Sequence, residues 1–585
     1  MTELRNLVPS GLVRIGGAAG IAGVGAFATL ISGCPDPDPM TADAFRAPDA
    51  YIAPDAFMAP PSDAYTPPDV FTPPDAYVMP GTDANFPDAF VVPDAFVPPD
   101  AYVRVCPPVA ARPTVTVRGT INADTTWTCD NTYVIEASGD QGPLYVINDS
   151  TLTIEAGTVI RGAVRDGTRS CVMSPAITCT SDTPCSMAVA GDRCGAPRQQ
   201  GTALVVTRGS ELVAEGTAEA PIVFTSNNFG SSATPPRAGD WGGLVLLGDA
   251  PTNWVPADGA QIEGLPTDEG RGTYGGTDAA GSCGSLRYVR VEYAGYIIGR
   301  NNELNGITVG GCGSGTLFDH VQVHLGLDDG IEFFGGSANA RYIVVTGTGD
   351  DSLDFDLGWT GNVQFYIAQQ RDVAGEERCI EGDNHPTNYG LMPYSRPTIY
   401  NFTCVGSGTP GTDPQDSIAL RRGGQFTFRN GILWNSPDRG FFVQDSADSS
   451  GAMTGMDTIA WLRAAPGGAP GTVFENNLVF QIGPDPRTRY FSLRTGSMDA
   501  TGVEDITAAL GAANDDGVDP MFPAAATDLA APSFAPAAGS AAASGAAALP
   551  STPSGFWTDA PYRGAVRPGG TGADLWYTGW TRFSE

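Results

Sequence analysis

Between residues 320 and 443 the chain repeats one short pattern. A small residue comes first, then a large apolar one, and two places later another apolar one. It reads "DDGIEF", "DDSLDF", "QDSIAL" and "DRGFFV", placing Ile331 with Phe333, Leu353 with Phe355, Ile418 with Leu420 and Phe441 with Val443. Period-two alternation predicts strands with one buried face. A leading strand precedes the first two units, "HVQVHLG" at 320–326 and "YIVVTGTG" at 342–349. Leu353 follows Ile331 by 22 residues, Ile418 follows by 65 more, and Phe441 by 23; the gap of 65 reads as three steps of 22. Short strands at such a repeat, with Gly or polar corners, predict a parallel β-helix. Each coil would add two or three strands, stacked ~4.8 Å from the last. Ile331 would lie under Leu353 and Val321 under Ile343.

The pattern does not extend to the N-terminus. Residues 1–33 have basic residues at Arg5 and Arg14, the apolar stretch "IGGAAGIAGVGAFATL", and then "ISGC". This looks like a lipoprotein signal peptide ending in a lipobox, with Cys34 as the lipid-modified first residue of the mature chain. Residues 34–105 repeat Pro-Asp-Ala-aromatic, mostly every six residues. Proline blocks helix and sheet, and the apolar surface is too small for a core. The expectation is a disordered, polyproline-like stalk reaching at most ~200 Å. Twelve Asp against two Arg keep it extended. No other stretch holds 18 uninterrupted apolar residues, so no membrane-spanning helix is expected.

Composition narrows the chemistry. The 585 residues include 75 Gly and 48 Pro, which suits many turns between short strands. Every basic side chain is Arg, so lysine bases and lysine Schiff bases are excluded. A formal charge of −33 argues against nucleic acid as a partner, because phosphate contacts need clustered cations. Beyond Cys34, ten cysteines remain, an even count that fits disulfides in an oxidising compartment. Nearest-neighbour spacing suggests Cys106 with Cys129, Cys283 with Cys312, and Cys379 with Cys404. Cys171, Cys179, Cys185 and Cys194 crowd into one loop that reads as disulfide-stapled. Zinc is the rival reading there, though no CxxC pair or nearby His supports it.

Two acidic clusters lie one step apart. Asp328, Asp329 and Glu332 are followed 22 residues later by Asp350, Asp351 and Asp354. If Ile331 and Phe333 point inward, Glu332 points outward, as does Asp354, and the two would lie about 5 Å apart. Three readings compete. Corner aspartates can serve only to bond backbone N–H groups in turns. Oxygen ligands from stacked coils suit Ca²⁺. Paired carboxylates also match a glycosidase, and a calcium-dependent lyase would need a nearby Arg. Arg421 and Arg422 are the candidates, placed about three coils away by the 22-residue step. His320 and His324 are read on one outward strand face, too far apart to share a metal. His385 lies in the loop "EGDNHPTNYG". No G-x-S-x-G elbow, P-loop or H-E-x-x-H is present.

Several stretches carry a resemblance. "LYVINDSTLTIEAGTVIRG", "LVVTRGSELVAEGTAEAPIVFTS", "AGDWGGLVLLGDAPTN", "NGITVGGCGSGTLFDHVQV" and the ending "GAVRPGGTGADLWYTGWTRF" resemble bacterial surface β-helix proteins. The resemblance covers roughly residues 114–585. It implies an all-β, right-handed, pectate-lyase-like parallel β-helix solenoid and no established reaction. The Cys-rich insertion at 163–200 departs from the usual pattern, and the chain lacks the Gly-His-Gly and Arg-x-Lys elements of polygalacturonase-type coils.

The expected organisation is a signal (1–33), a stalk (34–105), an N-terminal cap (106–143), the β-helix (144–480) and an irregular C-terminal strap and cap (481–585). In the strap the Trp-rich end is read as packing. The expected function is a binding, adhesion or structural role at the envelope, with enzymatic activity left open. The chain would be anchored to the bacterial outer membrane by the lipid on Cys34 and exposed at the surface. Partners would be the membrane and a polysaccharide or envelope component, with Ca²⁺ as the cofactor to test. A polysaccharide lyase or glycosidase using the stacked acids is the alternative.

Overall fold

The computed structural model describes residues 105–584, apart from 137–141, 165–168, 172–177, 180–193, 198–201, 255–258, 266–269, 300–301, 372–377, 409–414, 446–456, 465–470, 482–488, 496–497 and 500–503. The signal, Cys34 and nearly all of the stalk lie outside the described residues.

One chain winds repeatedly through two sheets, which hold 17 and 12 strands among the described residues. In the smaller sheet, strands of mostly three to seven residues stack in parallel. One inward column runs through it: Ile307, Ile331, Leu353, Ile380, Ile418, Phe441 and Phe491 pair in register from coil to coil. All seven are buried. The expected pairs Ile331–Leu353 and Val321–Ile343 are both present. Packing inside follows the same register: Phe333 lies flat on Trp359, with centroids 4.2 Å apart and planes 5° apart. The all-β parallel β-helix expected from the periodicity is therefore the observed fold.

The count of coils differs from the sequence reading. Leu353 pairs with Ile380 and Ile380 with Ile418, so the 65-residue gap holds two coils, not three. Strand lengths are held by the sheets, but connecting loops are free to lengthen, and here they do. Arg421 is consequently close to the acidic clusters.

In the larger sheet the middle strands bend. Leu317–His324, Asn339–Thr346, Asn362–Gln369 and Thr398–Val405 each pass through one left-handed residue: His320, Tyr342, Phe365 and Asn401. Left-handed backbone is unfavourable for large side chains, and Asn tolerates it best. Stacking along the corner offsets the cost: Tyr288, itself left-handed, lies 4.3 Å from His320, His320 4.3 Å from Tyr342, and Tyr342 4.8 Å from Phe365. The bend also resets the alternation, so Phe318 and Val321 both point inward. It separates the two histidines read on one face. His320 stands in the aromatic corner, whereas His324 lies beyond it, 3% exposed, with Nδ1 2.7 Å from Thr346 Oγ1.

Residues 106–143, expected as a cap, already enter both sheets through Thr114–Val117, Thr120–Ile121, Thr125–Trp127 and Thr132–Ile135. At the other end strands continue past 480, to Asp515–Asp516. Helix Glu504–Ala513 closes that end by placing Ile506 and Leu510 in the core. Covering the last coil removes an open edge that would otherwise invite association.

From about residue 519 the chain runs back along the outside of the larger sheet. Its described residues form no strand, so side-chain amides replace a ladder. Gln322 donates to Arg582 O and accepts from Arg582 N; Gln364 does the same with Thr558, and Asn430 with Ala547. Phe534, Tyr577 and Trp580 are buried against Val344, Ile367 and Val405. The Trp-rich end is thus packed.

Disulfides join Cys106 to Cys129, Cys283 to Cys312 and Cys379 to Cys404. In the Cys-rich insertion, Arg169–Cys171 lies between Thr178–Cys179 and Cys194–Pro197 in a small antiparallel sheet. The side chains of Cys171, Cys179 and Cys194, and the whole of Cys185, lie outside the described part. Among the described residues no helix is long and apolar enough to cross a membrane.

Candidate functional site

The acidic residues gather on the outer face of the smaller sheet and at its leading corner. Glu332 follows inward Ile331, so alternation turns it outward, and register sets it beside Asp354. The corners stack through backbone bonds: Gly306 N donates to Asp329 O at 2.9 Å, and Gly330 N to Asp351 O at 2.9 Å. This brings all six predicted carboxylates together. Asp328, Asp329 and Asp350 offer oxygens within 4.8 Å of one another; so do Asp329, Glu332 and Asp354; so do Asp351, Asp354 and Glu381.

Three members of this face escaped the sequence reading. Asp356 could have been found, since it lies two places after Asp354 and shares its face. Glu381 and Asp383 were hidden because their coil follows a 27-residue step, from Leu353 to Ile380, instead of 22.

Outward does not mean exposed. Asp328, Asp329, Glu332 and Asp351 are between 4% and 8% exposed, and Asp350 and Asp354 are half-buried. The cover is a roof of two hairpins, one pairing Ala260–Gln261 with Thr273–Tyr274, the other Tyr296–Gly299 with Asn302–Leu304. Ile262, Leu265, Tyr274, Tyr296 and Leu304 pack with Val245, Leu247, Phe334 and Leu357 as a second apolar cluster outside the coil. Gly264 marks the closeness of the two hairpins: a Cβ there would come within 2.4 Å of Leu304 Cδ2. No periodic signal in the sequence announces this roof.

The roof is itself acidic. Burial, then Glu303, pushes Glu263 up to about 7. Beneath it, burial and then neighbouring carboxylates hold Asp329, Glu332, Asp351, Asp354 and Asp356 well above the ordinary range. For Glu332 the first such neighbour is Glu263. Desolvation and like charge act together here, and both penalise the ionised form.

The far end is different. Arg421 contacts Glu381 and Asp383, Arg422 contacts Asp383, and Arg378 lies 2.8 Å from Glu381 and 3.5 Å from Asp351. Asp383 falls below its ordinary range: burial would raise it, but Arg421 and Arg422 outweigh that. Next in the chain, Asn384 takes a 2.9 Å bond from Asn253 Nδ2, and the ring of His385 stacks on Trp254 at 5.3 Å. Trp254 is 41% exposed. Nδ1 of His385 accepts from Thr387 N and Asn388 N, which leaves the proton of the neutral ring on Nε2. Burial, then Arg422, holds His385 below the usual imidazole range.

Chemically, the face divides in two. The roofed part offers hard oxygen ligands crowded against one another, a donor set for a divalent cation. The open part offers paired ions and one exposed aromatic surface.

A family model described as a pectate-lyase-like beta helix domain matches residues 119–461. Searches of curated proteins and of solved structures found no match.

Proposed function

We propose, from the premise that the chain belongs to the pectate-lyase-like β-helix family, that it is a binding or structural module presented at the bacterial envelope. A lipid on Cys34 and an acidic stalk would hold the β-helix away from the outer membrane. The observation carrying the non-catalytic reading is the roof. A polysaccharide cannot lie along carboxylates that are at most 8% exposed at Asp328, Asp329, Glu332 and Asp351. Those acids then serve the body of the protein, and ligand contact falls to other surfaces.

A second reading has one observation in its favour. Trp254, stacked on His385 beside the arginine-paired end, is the kind of exposed aromatic on which a sugar ring can stack. With Arg421 and Arg422 in the same neighbourhood, it keeps open a carbohydrate-active enzyme of the lyase or glycosidase kind.

One experiment separates the two. The full chain would be incubated with a panel of acidic polysaccharides, with Ca²⁺ and with chelator, and new reducing ends assayed. The proposal expects retention of a polysaccharide or envelope fraction without cleavage. Calcium-dependent cleavage lost in Asp351→Asn would replace it with the enzyme reading. Anchoring is tested separately, by acyl labelling of cells producing the native chain or Cys34→Ser; label only on the native chain supports it.

A further inference from the structure

We propose that the first coil is an interface for a second copy of this chain, paired edge to edge about a two-fold axis. The inference does not depend on what the acidic face serves.

The first coil consists of Thr114–Val117, Thr120–Ile121 and Thr125–Trp127. Among the described residues each of these strands pairs on one side only, with Thr132–Ile135, Leu144–Val146 and Thr151–Ile154. The backbone bonds show which groups are left over. Thr132 N donates to Pro113 O at 2.9 Å and Glu136 N to Val117 O at 3.0 Å. Tyr145 N donates to Gly119 O at 3.0 Å, Ile147 N to Ile121 O at 2.9 Å, and Glu155 N to Trp127 O at 3.0 Å. Successive residues of an extended strand turn their N–H and C=O groups to opposite edges. The main-chain groups of Thr114, Thr116, Thr120 and Thr126 therefore face away from the body. All four threonines are exposed.

The side chains agree. Val115 and Val117 stack in register over Tyr133 and Ile135, which belong to the core. Val115 is nonetheless 37% exposed, because no described coil stands over it. Val105 and Val109, shortly before it in the chain, are exposed as well. An exposed apolar group beside an open strand edge marks a contact surface.

The edge also lacks the usual protection. Its three strands contain no charged residue and no proline, and apart from Trp127 every residue in them is β-branched. Between residues 105 and 136, Arg112 and Arg118 stand against Asp124, Asp130 and Glu136. This end is thus almost neutral in a chain of formal charge −33, and two copies can approach through it with little repulsion.

The far end selects the occupant. Helix Glu504–Ala513 covers the last coil there. Head-to-tail stacking needs an open edge at both ends, so it is blocked. First coil against first coil remains, an isologous contact that closes at two copies. Antiparallel pairing sets Thr114 opposite Thr116 of the second copy, each pair exchanging N–H···O bonds. Val115 then meets its own counterpart across the axis, with Cα atoms about 4.5 Å apart. The contact is limited to the end of a coil, so it belongs among weak interfaces.

The test uses the full chain carrying Cys34→Ser, so that no lipid contributes to association. Sedimentation is followed across a dilution series, and amide exchange at both ends of it. The expected result is a monomer–dimer equilibrium, with exchange at Thr114 and Thr116 slowed at least tenfold in the concentrated sample. Thr116→Pro removes an N–H that faces the open edge, where proline is tolerated. It should weaken association at least tenfold and leave the melting temperature of the dilute chain unchanged. Val115→Arg should weaken association likewise, by setting like charges across the axis. A chain that stays monomeric at every concentration overturns the proposal. So does a dimer that both variants leave intact. Slow exchange at Thr114 and Thr116 in the dilute monomer overturns it too, because the edge would then be filled from within the same chain.

Discussion

Arg421 clasps Asp383 with two hydrogen bonds, Nε to Oδ1 at 3.1 Å and Nη2 to Oδ2 at 2.9 Å. Asp383 is also bonded by Arg422 Nη1 at 2.5 Å. This clasp marks where the acidic face changes character. On one side the carboxylates are neutralised by arginine. On the other they crowd against each other under a roof.

Removing Arg421 leaves Glu381 and Asp383 buried with less compensation. Breaking one partner of a buried pair costs about 3–5 kcal/mol, and the partial exposure of Arg421 puts the expectation at the lower end. Denaturant unfolding of Arg421→Met should show a loss of about 3 kcal/mol. No change in midpoint would mean that the arginine is only a surface partner.

The two ends should respond oppositely to pH. Asp383 is depressed in the folded chain, so its contribution is present above the ordinary Asp value of about 3.9 and is lost as pH falls below it. Glu263 is raised, so the folded chain keeps its proton after the unfolded chain has released it. Stability from Glu263 therefore falls as pH climbs from about 4.3 to about 7, and is level above. In chelator, melting temperature should decline across that window, and Glu263→Gln should flatten part of the decline. An unchanged slope would remove Glu263 as a titrating group of the roof.

In the core, Trp359 is fully buried and packs on both Phe333 and Phe355. Its Nε1 donates to Ala338 O at 3.2 Å. Truncating a buried aromatic costs about 3–5 kcal/mol, through lost transfer energy and the cavity left behind. Trp359→Ala should reach that range in equilibrium unfolding. A loss below 1 kcal/mol would mean that the coil interior collapses freely around the gap.

Gln364 is fully buried, and both ends of its amide pair with Thr558 at 2.8 Å. Replacing it with Leu leaves the N–H and C=O of Thr558 facing an apolar group, a penalty of about 2–4 kcal/mol. The loss should be local. Amide exchange around Thr558 should accelerate while the strands of Asn362–Gln369 stay protected. Uniform acceleration would mean instead that the strap and coils unfold as one unit.

Disulfide Cys283–Cys312 lies wholly within the core and closes a loop over a separation of 29 residues. Loops of that size give about 3–4 kcal/mol in the chain-entropy account. The double variant Cys283→Ala, Cys312→Ala should lose about that much by urea unfolding, and a value near zero would place the constraint elsewhere.

Alternation and corner chemistry in the sequence were enough to determine the coil. Which residues of "DDGIEF" and "DDSLDF" face inward is a local property of extended backbone, fixed by a period of two. The same rule turned Glu332 and Asp354 outward and set them side by side. Three things were decided only in the tertiary structure. Loop length between coils varies without disturbing the strands, so the number of coils between Leu353 and Ile418, and with it the approach of Arg421 to Asp383, could not be read from spacing. The left-handed bends at His320 and Tyr342 depend on stacking between coils. The burial of Glu332 depends on two hairpins folding back over the sheet, a contact between segments whose own sequences carry no shared period. Facing is local and repeats with the chain; covering is long-range, and it is the covering that turns a row of surface acids into a buried, acidic cluster.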